Sequence, residues 1–248
     1  MNALLHRPGR TLGALLILIS AAPTARAQAL VSNGGFEAGF ASWTRVDQLG
    51  SNGTFFLQSG PLSPVNSLPV PIPPGGVRAA MTDGQAPGTH VLYQDFVVPT
   101  SFGSAQLRFD IFIGNRASGF FIPASLDFST PTLNQQARID ILRGGTDPFS
   151  VSAADVLFGA YQTQTTDPLV SGYTTLNRDV TSVLAANAGQ TLRLRFAEAD
   201  NVFEFQLGVD NISLTVTPVP EPSALVLCGV GLLIGLRRQR RRRGAVLA

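Results

Sequence analysis

Hydrophobic and polar residues alternate with a period of two along several segments of the chain. Successive side chains of a β-strand point to opposite sides, so this alternation is typical of strands with one buried face. The predicted buried positions are Leu92, Phe96 and Val98; Leu107, Phe109, Ile111 and Ile113; Ile139 and Ile141; Leu192, Leu194 and Phe196; and Ile212, Leu214 and Val216. The one predicted helix is short, about residues 181–187, where Thr181 can cap the start and Gly189 can end it.

Segments rich in Gly, Pro and Asn join these strands. Many short strands without long amphipathic helices predict an all-β fold, an antiparallel β-sandwich of the jelly-roll kind. Six prolines make residues 59–76 an extended surface loop rather than a strand. Residues 114–136 mix Phe120, Phe121 and Phe128 with small polar residues, which indicates either a binding loop or a mobile segment.

The N-terminal segment has the organisation of a secretory signal peptide. His6, Arg7 and Arg10 precede the apolar residues 12–22, and Ala25-Arg26-Ala27 follows the small-x-small pattern of a cleavage site. We therefore predict export by the Sec route, with signal peptidase removing residues 1–27 and leaving Gln28 as the mature N-terminus. The alternative is that residues 12–22 form a core helix.

The C-terminal segment pairs a short apolar run with a cationic block. Residues 224–236 are apolar, and the arginines that follow are Arg237, Arg238, Arg240, Arg241, Arg242 and Arg243. Such a block resists crossing a bilayer and acts as a topology signal. Thirteen residues reach only about 20 Å of a roughly 30 Å hydrocarbon core. Flanking residues and snorkelling arginines can extend the span, which predicts a transient inner-membrane anchor; a permanent single-span anchor is the alternative.

Pro220-Glu221-Pro222 stands directly before this run. The order of motif, apolar segment and arginine cluster resembles the PEP-CTERM surface proteins of Gram-negative bacteria. The resemblance implies that Pro220, Glu221 and Pro222 are the recognition motif of an exosortase, a membrane peptidase that removes the tail, residues 218–248. It also implies a final location at the cell surface or in the extracellular matrix.

Net charge separates the central segment from both ends. Residues 28–217, the predicted ectodomain, hold nine arginines against fifteen carboxylates, a net charge of about −6. A nucleic-acid partner needs a basic surface, so we expect none. The single cysteine, Cys228, lies in the apolar tail, so the ectodomain has neither a disulfide nor a thiolate metal site.

The two ends of the ectodomain carry a second resemblance. Residues 31–37, Val-Ser-Asn-Gly-Gly-Phe-Glu, and residues 208–214, Gly-Val-Asp-Asn-Ile-Ser-Leu, resemble the opening and closing segments of jelly-roll modules of the carbohydrate-binding and galactose-binding type. The resemblance implies a structural calcium ion between Glu37 and Asp210, whose hard oxygen ligands suit calcium. The alternative is that Asp210-Asn211 forms a turn or binds nearby backbone amides. We expect no other cofactor.

Catalytic patterns are weak. The ectodomain contains one histidine, His90, which we interpret as a surface or strand-end residue, and no Gly-x-Ser-x-Gly elbow accompanies it. Paired carboxylates can hydrolyse glycosides, but spacing singles out none of Asp127, Asp140, Asp155 and Glu198. The leading hypothesis is therefore a non-catalytic surface or matrix protein associated with extracellular polysaccharide. The alternatives are a lectin-like carbohydrate-binding module and a polysaccharide hydrolase.

Aromatic residues are the candidate ligand contacts. Tyr173, which we place in an exposed loop, is the first choice, followed by Phe120 and Phe121. Trp43, the only tryptophan, can either stack on a sugar or fill the core, since large aromatic side chains contribute much of a sandwich's burial.

Overall fold

A computed structural model describes residues 26–219 and the single residue Gly229. Within residues 26–219 there are eleven strands and one short helix. The elements are β1 Gln28–Ala29, β2 Thr44–Asp47, β3 Thr54–Gln58, β4 Ala79–Asp83, β5 Gly88–Val97, β6 Ser104–Asn115, β7 Gln135–Arg143, β8 Val156–Gln162, β9 Thr174–Asp179, α1 Thr181–Ala185, β10 Thr191–Asp200 and β11 Phe205–Thr217.

The strands form two antiparallel sheets. One sheet has the order β3-β4-β11-β6-β9, with β1 also pairing with β11, and the other has the order β2-β5-β10-β7-β8. The eight strands from β4 to β11 are distributed between the sheets in the jelly-roll order, in which the first and last strands are neighbours. The predicted all-β sandwich is confirmed.

The core lies between the two sheets and is built from the alternating positions. Phe109 of β6 meets Phe196 of β10 edge to face, with ring centroids 5.7 Å apart. Trp43 is also part of this core, because it packs against Phe36 and Phe196 and its indole N–H donates to the backbone oxygen of Asn33. The predicted core positions are buried, and Trp43 fills the core instead of presenting a sugar-stacking surface.

Helix α1 is shorter than predicted and is capped differently. It ends at Ala185, and Val180 occupies its N-cap position without a side-chain hydrogen bond. The hydroxyl of Thr181 instead accepts a hydrogen bond of 2.9 Å from the backbone nitrogen of Ala105 in β6. Gly189 has a φ of +76°, a backbone conformation that glycine adopts at little cost after a helix.

Both long loops pack against the outer faces of the sheets. Residues 59–76 cover the six-stranded sheet, where Val70 joins Met81 and Phe112 in a small apolar cluster. Residues 116–134 contribute Phe120 to the core and also cover the five-stranded sheet, where Leu126 packs with Val91 and alanines of β10. Among the described residues, no helix is long and apolar enough to cross a membrane.

Candidate functional site

The opening and closing segments of the sandwich cross at Gly34 and Ile212. The backbone nitrogen of Ile212 donates to the backbone oxygen of Gly34 at 3.0 Å. A Cβ atom on residue 34 would lie 1.8 Å from the backbone oxygen of Ile212. Only glycine fits here, which gives a physical reason for the opening Asn-Gly-Gly-Phe-Glu segment.

Asp210 lies at a β-bulge near the middle of β11, where the register against β6 shifts between Asp210 and Ser213. One carboxylate oxygen accepts from the backbone nitrogen of Asn211 at 2.7 Å, and the other accepts from the backbone nitrogen of Gly75 at 3.0 Å. Asp210 thus binds backbone amides, as one of the two sequence-based alternatives states. Calcium binding stays a prediction.

Glu37 holds the same loop from the other side. Its Oε1 accepts from the backbone nitrogens of Val77 and Arg78 at 2.9 and 3.0 Å. Burial raises the pKa of Asp210 to about 6, and the negative charges of Asp110 and Glu37 add to the rise. Asp210 and Glu37 therefore both hold residues 75–78 through backbone amides.

Tyr173 is half-buried, so the expected exposed position is wrong. Its hydroxyl donates to Oε1 of Gln58 at 2.9 Å, and its ring packs against Phe112 with centroids 5.8 Å apart. Burial raises the pKa of the Tyr173 phenol, and Asp210 and Asp110 raise it further. The hydroxyl already has a protein partner, and a ligand contact at Tyr173 stays a prediction.

Phe120 also differs from the expectation of a ligand contact. It is 4% exposed and packs in the core against Phe205, with ring centroids 6.1 Å apart. Phe121 is half-buried, and its backbone forms an isolated bridge with Gln135. The adjacent side chains therefore have different environments, and only Phe121 retains an exposed portion for a ligand.

An open cleft of 330 Å³ lies on the outer side of the five-stranded sheet, between residues 124–127 and 147–151. Its lining combines the half-buried ring of Phe149 with the polar side chains of Gln48, Asp127 and Asp147. Gln48 and Ser129 donate to the carboxylate of Asp127, and these hydrogen bonds lower its pKa. We call this surface the loop cleft.

A buried ion-pair network fixes one wall of the loop cleft. Arg195 is fully buried and donates to the carboxylate of Asp140, which also accepts two hydrogen bonds from Arg138. The guanidinium of Arg195 further donates to the backbone oxygens of Pro148 and Ser150. The sheet therefore holds residues 148–150 in place through charge-assisted hydrogen bonds.

The other candidate carboxylates are dispersed. Asp140 is occupied by arginines, Asp155 accepts from the hydroxyl of Ser150, and Glu198 lies in the interior. Ala27 is exposed directly before β1. The remaining predicted processing residues lie outside the described part of the chain: Ala25, Pro220, Glu221, Pro222, Arg237, Arg238, Arg240, Arg241, Arg242 and Arg243.

Comparison with known families identifies the C-terminal segment. Residues 218–243 match the model of the PEP-CTERM protein-sorting motif. The chain thus carries a sorting signal of this type, which implies an exported, cell-surface protein. No curated protein shows significant sequence similarity to the chain.

Several solved structures show a distant similarity to the chain. The module TmCBM61, solved with β-1,4-galactotriose, is 12% identical, with a TM-score of 0.44 and coverage of 75% of this chain and 97% of that one. A Stig cyclase from Fischerella sp. TAU is 16% identical, with a TM-score of 0.45 and coverage of 79% and 100%. The K1 adhesin domain of Lys-gingipain from Porphyromonas gingivalis is 13% identical, with a TM-score of 0.42 and coverage of 79% and 99%. Similarity at this level indicates nothing about the ligand of this chain.

Proposed function

We propose that the chain is a non-catalytic surface or extracellular-matrix protein whose C-terminal tail is removed by an exosortase-type peptidase. The match of residues 218–243 to the sorting motif carries this proposal. On this proposal the protein leaves the cytoplasm by the Sec route, is held in the inner membrane by residues 224–236, and is then released to the surface.

The end of the folded body supports this processing. The backbone oxygen and the hydroxyl of Thr217 accept hydrogen bonds of 2.7 and 3.0 Å from Gly103 and Ser104. Val219, two residues later, is 48% exposed, and the Pro-Glu-Pro motif begins at the next residue. Cleavage at or after the motif therefore removes no residue from the hydrogen-bonded sheet.

A fractionation experiment tests the proposal. The full chain is expressed in cells with and without an exosortase, and its size and location are followed with an antibody against the ectodomain. We expect a shortened surface form only with exosortase, and a full-length membrane form for Glu221→Ala. Gln239→Ala changes the same tail outside Pro220-Glu221-Pro222 and should be processed normally. A full-length tail in both strains contradicts the proposal.

The loop cleft favours a second function, binding of an extracellular glycan. Phe149 offers a half-exposed aromatic ring for the apolar face of a sugar. Within residues 26–219 the carboxylate of Asp147 uses only Oδ1, which accepts from the backbone nitrogen of Phe149, so that Oδ2 can accept from a sugar hydroxyl. Few polar groups around an aromatic surface are typical of a small-molecule site.

Glycan binding is tested with the full chain, solubilised in detergent, on a broad glycan array. Phe149→Ala and Asp147→Ala should each weaken any binding by about tenfold or more, the cost of about 1.4 kcal/mol or more. Phe203→Ala removes an exposed aromatic side chain outside the cleft lining and should leave binding unchanged. Absence of binding across the array, or equal loss with all three variants, contradicts this function.

A structural calcium ion at Glu37 and Asp210 is a further part of the proposal. The donor set fits, because both carboxylates supply hard oxygens and hold the same loop. Gly76 allows this close approach, since a Cβ there would lie 2.2 Å from Oε1 of Glu37. Calcium there would neutralise clustered negative charge and fasten the first segment of the sandwich to the last strand.

A further inference from the structure

A histidine and two carboxylates meet inside the sandwich, away from the loop cleft and from Glu37. His90 of β5 lies opposite Glu198 of β10, and Gly88 lies opposite Asp200. His90, Glu198 and Asp200 share the inner face of the sheet with Leu92 and Phe196, since strand side chains alternate. One ligand atom from each of the three lies within 4.8 Å of the others.

The imidazole of His90 is oriented by Asp47. Nδ1 lies 2.8 Å from Oδ1 of Asp47. An ionised carboxylate only accepts hydrogen bonds, so Nδ1 carries the proton and Nε2 is free to present a lone pair. Gly88 leaves room for this nitrogen, because a Cβ at residue 88 would lie 2.5 Å from Nε2. Such an orienting carboxylate is common behind histidine metal ligands.

Glu198 provides an independent sign that a ligand is needed. Its side chain is almost completely buried, and Oε1 has no hydrogen-bond partner among the described residues. None of the ion pairs within residues 26–219 includes Glu198 or Asp200. An unpaired buried carboxylate is costly, and a bound cation removes that cost.

We propose that His90, Glu198 and Asp200 bind a divalent transition-metal ion with the preferences of zinc. One imidazole nitrogen and two carboxylate oxygens match zinc donors, whereas calcium is bound through oxygen. Asp200 also lines a cavity of 160 Å³ with residues 85–87 and 202–204. Three protein ligands beside a cavity leave a coordination position for water or a small ligand.

This metal site is independent of the proposed function and of the proposed calcium site. Its ligands come from neighbouring strands of the five-stranded sheet, whereas Asp210 belongs to the other sheet. A metal here would join β5 to β10 near the end of the sandwich where the loops of residues 85–87 and 202–204 meet. Failure of tail processing or of calcium binding leaves the proposal unaffected.

Zinc titration of the chelator-stripped full chain in detergent tests the proposal. Calorimetry and metal analysis should show one zinc equivalent per chain that His90→Gln removes. His6→Gln changes the only other histidine and should retain it. At a zinc concentration about 100 times the dissociation constant, the melting temperature should rise by about 5–10 °C in the wild type. Calcium at the same concentration should not displace the zinc.

Glu198→Gln keeps the test decisive if His90→Gln does not fold. Gln preserves the side-chain shape and carries no charge, so we expect the metal-free variant to stay folded by circular dichroism. It should lose at least about tenfold in zinc affinity. Zinc uptake that is absent in the wild type, or equal in the wild type and these variants, overturns the proposal. An imidazolium between two carboxylates would then be the correct description.

Discussion

Gln28 pairs with Val216, so the first and last strands of the folded body lie side by side in the six-stranded sheet. The predicted signal-peptidase site ends one residue before Gln28, and the Pro-Glu-Pro motif begins four residues after Val216. Both predicted processing positions thus adjoin the same pairing of β1 with β11. This arrangement supports an ectodomain whose two targeting ends can be removed without loss of a strand pairing.

Gly34→Ala should destabilise the ectodomain strongly. The new Cβ would overlap the backbone oxygen of Ile212, which cannot move without disturbing β11. We expect a loss of about 3 kcal/mol or more, measured by urea denaturation. Gly172→Ala places a Cβ where no other atom lies within 4 Å and should change stability little. Similar stability of the two variants would contradict the described crossing.

Asp140→Asn should cost about 3–5 kcal/mol, because it leaves the buried guanidinium of Arg195 without its counter-charge. Arg108→Gln is the comparison, since Arg108 is 45% exposed and lies 3.5 Å from Asp110. Asp110 is buried but keeps its hydrogen bonds from Thr175 and Asn211 when Arg108 is changed, so we expect a loss of about 1 kcal/mol or less. Chemical denaturation of both variants checks the difference. Equal losses of stability in the two variants would show that water reaches the Arg195–Asp140 pair, which contradicts the prediction.

Asp127 should contribute to acid sensitivity. Its pKa is lowered from the ordinary 3.8 by hydrogen bonds from Gln48 and Ser129. A lowered folded-state pKa stabilises the protein above the unfolded-state pKa, and the contribution is lost as pH falls through the folded-state value. Urea denaturation between about pH 5 and pH 2 should therefore show a shallower decline for Asp127→Asn than for the wild type.

Ser129→Ala tests whether the hydrogen bond from Ser129 lowers the pKa of Asp127. It removes the hydroxyl donor to Asp127 but leaves the carboxylate and the Gln48 contact in place. The decline of stability with acid should lie between those of the wild type and Asp127→Asn. If the stability of Asp127→Asn depends on pH in the same way as that of the wild type, the pKa of Asp127 is the same in the folded and unfolded states, which contradicts the prediction.

Calcium at about 1 mM should raise the melting temperature of the full chain, since extracellular sites bind in this range. Asp210→Ala should abolish the shift, and Glu37→Gln, a change at an exposed residue, should reduce it. Asp179→Ala removes an exposed carboxylate outside the site and should leave the shift intact. No shift in the wild type, or a shift that persists in Asp210→Ala, rejects the calcium site.

The alternation of hydrophobic and polar residues predicted the strands well, because each strand carries this alternation in its own sequence. Phe109, Leu194 and Leu214 are buried on the inner faces, as the period of two requires. Gly34 shows the limit of this reasoning. Its closest contact is with Ile212, at the other end of the ectodomain, so the sequence indicated a shared motif without giving its physical cause.

The polar sites depended on contacts between distant segments. His90 was expected at the surface or at a strand end; it lies near the start of β5, where it is buried beside Glu198. Only the register between β5 and β10 brings them together. Tyr173 was expected to be exposed, but its hydroxyl donates a hydrogen bond to Gln58, which is 115 residues away in sequence. The order of the strands in the sheets determines which of these distant residues meet. The pattern within a single strand carries no information about that order.

The intact mass of the protein recovered from the cell surface tests the central claim most directly. The account predicts a chain that begins at Gln28 and has lost the arginine cluster, with Arg237 and all following residues absent. A full-length polypeptide recovered from the cytosol, with both end segments retained, would contradict the account.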